Sequence, residues 1–308
     1  MKRKITDWLI YMLVRVVVCW AQAVTIERCH AAAKMLAYLM CDRIRMRRGV
    51  IEENLGHVYP DYSPEQRHEL ARAMWEHLFL MVFEIAHAQR KIHETNWRRY
   101  IRVHRKREIV GQLLDTRPLV IVSGHFGNFE VAGVMLGLLG FPTFTIARLL
   151  DNAHMNGYLN DFRAARGQYM LPKDGSSQQV QAVLEDGGTL VLLGDQSAGP
   201  KGCWVDFLGR PASCHKAIAL FSMTTGAPLM VAYARRLGEP LQFELGLEGV
   251  IDPADGDREM AGVAPLTAWY NQMLEQIIRR DPEQYWWVHR RWKGEPPKRR
   301  RRESQKAA

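Results

Sequence analysis

Four continuous runs of apolar and β-branched residues, each of strand length, recur along the middle of the chain with helical segments between them. Strands that are buried on both faces of a parallel sheet have this pattern. The runs lie at 117–123, 142–147, 189–196 and 227–233, and 242–247 is predicted to be an antiparallel edge strand. The alternation of strands and helices predicts an α/β fold with a mixed, mainly parallel central sheet flanked by helices.

The clearest helix signal is Ser63-Pro-Glu-Gln66, a capping box with proline at the first helical position. It predicts a helix from Pro64 to about Ala88. His68, His77 and His87 lie on different faces of this helix, so we interpret them as incidental rather than as metal ligands. Further helices are predicted at 27–48, 131–139, 151–166, 175–186, 213–226 and 264–280.

The apolar stretch 5–24 is long enough to span a bilayer, although Asp7 and Arg15 interrupt it. Trp8 and Trp20 suit a membrane interface. No signal-peptide cleavage site of small residues follows the stretch. We therefore expect this segment to anchor the chain, either across the membrane or in its interface, with a buried first helix as the alternative.

The net charge of +9 lies mostly at the two ends of the chain, in Lys2 to Lys4 and in residues 290–302. Such a distribution disfavours a nucleic-acid groove, which would spread basic residues through the fold. It favours attraction to anionic lipid, or to an acidic carrier protein. We expect N-terminal membrane-anchor helices at 1–48, a main domain at 49–293 and a basic disordered tail at 294–308.

Several classes of function lack their sequence signatures. The five cysteines form no C-x-x-C pair and have no histidine spacing of a zinc site, which is typical of reduced thiols in a cytosolic compartment. The chain contains no G-x-S-x-G elbow, no H-E-x-x-H motif and no dinucleotide-binding glycine pattern. We expect no metal and no cofactor.

The segment from Ser123 to Glu130 has the features of an active-site turn, since it lies between a predicted strand and a predicted helix. His125 is a plausible general base at neutral pH, and Glu130 could orient its ring if His125 lies before the helix. Free amides at the helix start could receive a phosphate or an oxyanion. From spacing alone, a histidine at a helix start with an unrelated surface glutamate is an open alternative.

The His-x4-Glu pattern, in the form His125-Phe-Gly-Asn-Phe-Glu130, resembles the first motif of the lipid A late acyltransferases within the lysophospholipid acyltransferase-like superfamily. Other segments resemble motifs of the same family and occur in the expected order. They are Asp195-Gln196, Phe207-x-Gly209-x-Pro211 and Tyr285-Trp-Trp-Val-His-Arg290.

The resemblance implies a membrane-bound O-acyltransferase at the inner membrane, with its catalytic domain on the cytoplasmic side. His125 would act as general base and Glu130 would orient it. The acyl group would pass from an acyl carrier protein or coenzyme A thioester to a hydroxyl of a phosphorylated lipid A precursor or related glycolipid. The implied substrate-binding residues are Gly127, Asn128, Arg148, Arg166, Asp195 and Gln196.

Two alternatives stay open at this point. The acceptor could be another glycolipid or a lysophospholipid, because the motifs do not specify the acceptor sugar. The chain could also be a catalytically silent scaffold that holds lipid at a membrane. Replacing His125 separates an enzyme from a scaffold, since it removes turnover from the former only.

Overall fold

The structure, a computed structural model, describes residues 2–147, 149–173 and 175–297. Most of the predicted basic tail, 298–308, lies outside these residues. Within them the chain forms ten α-helices: α1 (Lys2–Ala23), α2 (Ile26–Tyr38), α3 (Arg48–Val58), α4 (Pro64–Lys91), α5 (Lys106–Leu114), α6 (Phe129–Leu138), α7 (Ala153–Ala164), α8 (Ser177–Glu185), α9 (Lys216–Thr225) and α10 (Val263–Arg280).

The described residues also form nine strands: β1 (Ile101–Val103), β2 (Leu119–Ser123), β3 (Thr143–Ala147), β4 (Gln168–Pro172), β5 (Thr189–Leu193), β6 (Cys203–Phe207), β7 (Arg210–Cys214), β8 (Leu229–Arg236) and β9 (Phe243–Ile251). Seven of them build the central sheet in the order β1-β9-β8-β2-β5-β3-β4. Strands β8, β2, β5, β3 and β4 run parallel to one another, and β9 is antiparallel to β8. The predicted mixed, mainly parallel sheet is confirmed.

Strand β2 lies at the centre of the sheet, between β8 and β5. Val120 and Val122 are fully buried on the face that α9 and α10 cover, and Ile121 packs towards α5 on the other face. Burial on both faces explains why the sequence of this strand is an unbroken apolar run. The carboxyl end of β2 therefore lies at the middle of the sheet edge, where α/β proteins bind their ligands.

Some elements differ from the predictions. Strand β9 is antiparallel as expected, but β1 pairs with its other side, so it is not an edge strand. Residues Cys203–Cys214, which contain the Phe207-x-Gly209-x-Pro211 motif, form a two-stranded hairpin. The helix predicted at 27–48 ends earlier, because residues Leu39–Ile44 are π-helical and Arg45 and Arg47 have left-handed backbone conformations.

Helix α1 is the one helix in the described part of the chain that is long and apolar enough to cross a membrane, judged by length and composition alone. Most of its residues are exposed, including Leu9, Leu13 and Val16. Exposed apolar side chains over this length are unusual for a helix that faces water, which agrees with the predicted anchoring segment.

Candidate active site

The glycine at position 127 fixes the turn that follows β2. Its φ of +59° is a left-handed conformation, and a Cβ atom there would lie 1.9 Å from the carbonyl oxygen of Ala234. Only glycine avoids both the backbone strain and this clash. The turn holds His125 in place before α6 begins, as the sequence predicted.

Asp195 is the carboxylate that holds the imidazole of His125. Its Oδ1 atom lies 2.8 Å from Nδ1 of His125, and its Oδ2 accepts the backbone N–H of His125 at 2.8 Å. The adjacency has a simple origin in the sheet register, where Ser123 of β2 lies opposite Leu193 of β5. His125 and Asp195 each stand two residues beyond that pair, so neighbouring parallel strands bring them together.

The charge of Asp195 controls the protonation of the pair. Burial lowers the pKa of His125, but the adjacent Asp195 carboxylate raises it by more, and Glu130 adds to the effect, so the net pKa lies above its ordinary value. Burial raises the pKa of Asp195, yet His125 and its backbone N–H bring the net pKa below its ordinary value. The carboxylate therefore stays ionised and stabilises an imidazolium when His125 takes up a proton.

The second nitrogen of His125 accepts a hydrogen bond from Gln196, which a substrate hydroxyl would have to replace before proton abstraction. When Nδ1–H donates to Asp195, the Nε2 atom carries the lone pair, which is the form that a general base needs. The side-chain amide nitrogen of Gln196 lies 3.1 Å from Nε2. The rings of Trp286 and Phe129 pack against the imidazole with centroid distances of 4.8 and 5.3 Å.

Glu130, which was predicted to orient His125, bonds to Arg163 rather than to the imidazole in this structure. Glu130 forms a bidentate ion pair with Arg163 of α7, with one contact at 3.0 Å between Nε and Oε2. Its position on the first turn of α6 directs it to α7, whereas Asp195 approaches the ring from β5. Glu130 therefore acts on His125 through its charge, and Asp195 orients the ring.

Three backbone N–H groups around the helix start, where an oxyanion was expected to bind, are already bonded within the protein. The backbone N–H of His125 donates to Asp195, that of Gly127 to the carbonyl of Gln284, and that of Asn128 to the carbonyl of Ala234. These donors are committed to holding the turn, so a developing oxyanion needs another donor.

The other residues predicted to bind substrate have different surroundings. Asn128 is fully buried, caps α6 by accepting the N–H of Val131, and does not line the cavity described below. Arg166 donates to the carbonyl of Gln89, away from the cavity lining. Arg148 lies outside the described residues. Gln196 is the predicted substrate-binding residue that contacts His125 and lines the cavity.

A buried network of charged and polar side chains holds the turn that carries His125. The sequence analysis did not predict this network. His77 donates from Nε2 to the carbonyl of Gly127 at 3.1 Å and accepts from Arg236 at 2.9 Å. Arg236 forms a bidentate ion pair with Glu84, which also accepts from Asn128 at 3.1 Å. Burial lowers the pKa of His77 to about 3, so the ring is neutral. His77, interpreted from the sequence as incidental, is therefore a structural element of the site.

Another cluster has side chains of the kind that bind metal ions. In the described part of the chain, Cys41, Asp42 and His68 place ligand atoms within 4.8 Å of one another. Arg72, however, binds both carboxylate oxygens of Asp42, and His68 contacts the same carboxylate at 2.9 Å. A cation would have to displace a guanidinium, so ion pairing accounts for this cluster.

A cavity of about 910 Å³ extends from His125 between the sheet and helices α5 and α6. Its inner walls are apolar and include Ile121, Val191 and Met230 from the sheet and Ile109 and Leu136 from the helices. Its polar lining residues include His125, Glu130, Arg163, Lys173 and Gln196. A histidine beside an apolar cavity of this size suits a reaction on a substrate with a hydrocarbon chain.

Comparisons with known proteins bear on the family to which the chain belongs. A family model described as bacterial lipid A biosynthesis acyltransferase matches residues 1–294. The lipid A biosynthesis palmitoleoyltransferase of Escherichia coli (strain K12) is 22% identical over 255 residues, which cover 82% of this chain and 81% of that protein. The lipid A biosynthesis lauroyltransferase of the same strain is 23% identical over 259 residues, with coverage of 82% and 81%.

A third relative has a different name and matches a smaller part of the chain. The phosphatidylinositol mannoside acyltransferase of Mycolicibacterium smegmatis is 25% identical over 174 residues, which cover 53% of this chain and 57% of that protein. The family predicted from the motifs is confirmed by the match along nearly the whole chain. The chain belongs to the bacterial lipid A biosynthesis acyltransferases and is an acyltransferase.

Proposed function

We propose that this protein transfers a fatty acyl group from an acyl thioester to a hydroxyl group of a lipid A precursor or a related glycolipid. The observation that carries the proposal is the imidazole of His125, which is held by Asp195 and lines the apolar cavity. Acyl transfer between two lipid-like substrates needs such a base beside such a cavity.

In the proposed reaction, Nε2 of His125 removes the proton of the acceptor hydroxyl while its oxygen attacks the thioester carbonyl. A C–O bond forms and the C–S bond breaks. The departing thiolate takes the proton back from the imidazolium, so the base is regenerated without a covalent enzyme intermediate. Asp195 stabilises the imidazolium between the two proton transfers.

The tetrahedral intermediate needs a donor for its oxyanion. We assign this role to the side-chain amide of Gln196, because it lines the cavity and its hydrogen bond to Nε2 of His125 is released when the acceptor hydroxyl takes that place. The amides of the turn support this assignment indirectly, since three of them are bonded within the protein. A preorganised donor of this kind typically contributes about 10²- to 10³-fold to turnover.

The acceptor headgroup would bind at the polar end of the cavity. Arg163 and Lys173 line the cavity and supply positive charge for a phosphate, and Glu130 fixes the direction of the Arg163 guanidinium. Arg148 and Arg166 stay predicted contacts of the same headgroup. Arginine suits this role because its planar donors match phosphate oxygens.

The donor and the location complete the proposal. The thioester would come from an acyl carrier protein or coenzyme A, and the basic termini are suited to an acidic carrier and to anionic lipid. Both donors are cytoplasmic, so the catalytic domain would face the cytoplasm at the inner membrane. The relative that is named for a mannoside acceptor supports a second candidate, acylation of a different glycolipid.

The test is to incubate the purified protein with labelled acyl carrier protein thioesters and an extracted envelope lipid pool, and to read mass shifts in the lipids. The proposal predicts one added acyl chain on a lipid A precursor, lost in His125→Ala. A mass shift on another glycolipid selects the second candidate. If no lipid gains mass and His125→Ala still binds vesicles like the wild type, the scaffold interpretation replaces both.

A further inference from the structure

Helix α1 has one side docked against the rest of the protein along most of its length. The described side chains of α1 that are not exposed are those of Asp7, Tyr11, Val14, Val18, Ala21 and Gln22, and from Asp7 to Ala21 they alternate at spacings of four and three residues. This spacing defines a single stripe along a helix. The stripe spans 14 residue steps, or about 21 Å at the helical rise.

The N-terminal half of the stripe contacts α7. Asn152, the cap residue of α7, donates to the carbonyl of Asp7 at 2.7 Å. One turn further on, the ring of Tyr11 lies 6.1 Å from that of Tyr158, and the guanidinium of Arg15 lies over Tyr158 at 5.0 Å. Of the two charged residues that interrupt the apolar stretch, Arg15 thus directs its guanidinium towards α7, and Asp7 contacts α7 through its backbone carbonyl.

The C-terminal half of the stripe contacts α4. The ring of Trp20 lies 6.1 Å from that of Phe83, and Gln22 donates to the carbonyl of Ala86 at 3.1 Å. Arg90 donates to the carbonyl of Gln22 at 3.2 Å. Both ends of α1 are therefore attached to the same body of the protein.

A bilayer crossing conflicts with these contacts. Helix α7 carries Asn156, Asn160, Asp161 and Arg163, and all of them retain some exposure. If α1 crossed the hydrocarbon region while docked, α7 would enter it with these polar groups, each of which is costly there. The basic residues agree, since Lys2 to Lys4 lie at the start of α1 and more basic residues, from Arg43 to Arg48, come after α2. Basic residues on both sides favour the same side of the membrane for both ends.

We propose that α1 does not cross the membrane but lies in its interface, with its N-terminus on the same side as the catalytic domain. The occupant of its outer face is an anionic lipid surface. Leu9, Leu13 and Val16 are exposed on that face by 54 to 63%. The N-terminal region also carries exposed arginines at positions 43, 45, 47 and 48, whose charge is complementary to anionic lipid. This inference is independent of the acyl-transfer chemistry.

The first test labels single cysteines with a membrane-impermeant maleimide in a Cys19→Ser background. The positions are Lys4→Cys before α1 and Asp206→Cys on the exposed part of β6. In-plane binding predicts that both react in inverted inner-membrane vesicles and that neither reacts in intact spheroplasts. If Lys4→Cys reacts only in spheroplasts while Asp206→Cys reacts only in inverted vesicles, α1 crosses and the proposal fails. Labelling of both only in spheroplasts would keep the in-plane helix and overturn the cytoplasmic location instead.

The second test identifies the occupant of the outer face. Leu13→Asp is compared with Leu114→Asp, an equally exposed leucine of α5. Sedimentation with phosphatidylglycerol and phosphatidylethanolamine vesicles should show about tenfold weaker binding for Leu13→Asp and unchanged binding for the control. If vesicle binding is unchanged in Leu13→Asp but a dimer becomes a monomer by analytical ultracentrifugation, the occupant is a second copy and the proposal is overturned.

Discussion

The Nδ1 atom of His125 lies 2.8 Å from a carboxylate oxygen of Asp195, although the two residues are 70 positions apart in the chain. Asp195 is almost fully buried, and it also accepts the backbone N–H of His125. A carboxylate with two bonds to one residue fixes both the ring and the turn that carries it. The catalytic role proposed for His125 therefore depends on Asp195.

Replacing Asp195 by asparagine should reduce acyl transfer by about 10²- to 10⁴-fold, because the amide can hold the wrong tautomer of His125 and cannot stabilise the imidazolium. The measurement is single-turnover transfer from a labelled thioester at saturating acceptor. Asp186→Asn, at an exposed carboxylate, is the matched control. Wild-type rates in Asp195→Asn would show that another group holds the ring.

Glu130 and Arg163 should behave as one unit, because they form a bidentate ion pair on the cavity wall. We expect Glu130→Gln, Arg163→Gln and the double variant to lose similar amounts of kcat/KM, mainly through a higher KM for the acceptor. A double-mutant cycle measures this coupling. Additive losses, or a Glu130→Gln defect confined to kcat, would instead indicate that Glu130 acts on the chemistry by itself.

Gly127→Ala should destabilise the fold by about 2 to 4 kcal/mol, because the new Cβ meets the carbonyl of Ala234 at 1.9 Å in a left-handed backbone. The free energy of unfolding is measured by denaturant titration. Gly140→Ala is the control, since Gly140 also has a positive φ but nothing within 4 Å of an added Cβ. Equal effects of the two substitutions would mean that the backbone strain matters and the close approach does not.

Val191 should influence which acyl chains fit. It lies on β5 in register with Ile121 and Thr145, and all three line the cavity. Val191→Phe should disfavour long chains by roughly fourfold for each methylene that no longer fits, whereas Val191→Ala should favour longer ones. Competition between thioesters of different length, read by mass spectrometry, gives the ratio. If both variants keep the chain-length profile of the wild type, the acyl chain does not lie beside Val191.

The sequence predicted the central strands well, because residues such as Val120 and Val122 are buried on both faces of the sheet and leave an apolar run. It also predicted His125 in a glycine-containing turn at a strand end. It did not predict helix α3, whose start follows the left-handed Arg47, or β4, which is short and only partly buried. Local composition carries little signal for such elements.

The partner of His125 was assigned to the wrong carboxylate for a physical reason. Glu130 is near in sequence, and sequence reasoning favours local partners. Asp195 becomes a neighbour only because β5 pairs with β2, although β3 and β4 come between them in the chain. The shared pattern of a strand, a glycine and a polar residue at Gly124-His125 and Gly194-Asp195 was the available signal. The network of His77, Glu84 and Arg236 left no comparable local pattern.

The central claim is that His125 acts as a general base whose pKa is raised by Asp195. A base must be unprotonated, so kcat/KM should fall as the pH decreases through a pKa above the ordinary value of about 6.5. Without the Asp195 carboxylate, burial dominates and lowers the pKa of His125.

The most direct measurement is therefore the pH dependence of kcat/KM for the wild type and for Asp195→Asn. The account predicts a lower maximum and an acid limb displaced to lower pH in the variant. An acid limb at the same pH in both proteins would contradict the account. So would a wild-type profile that has no acid limb.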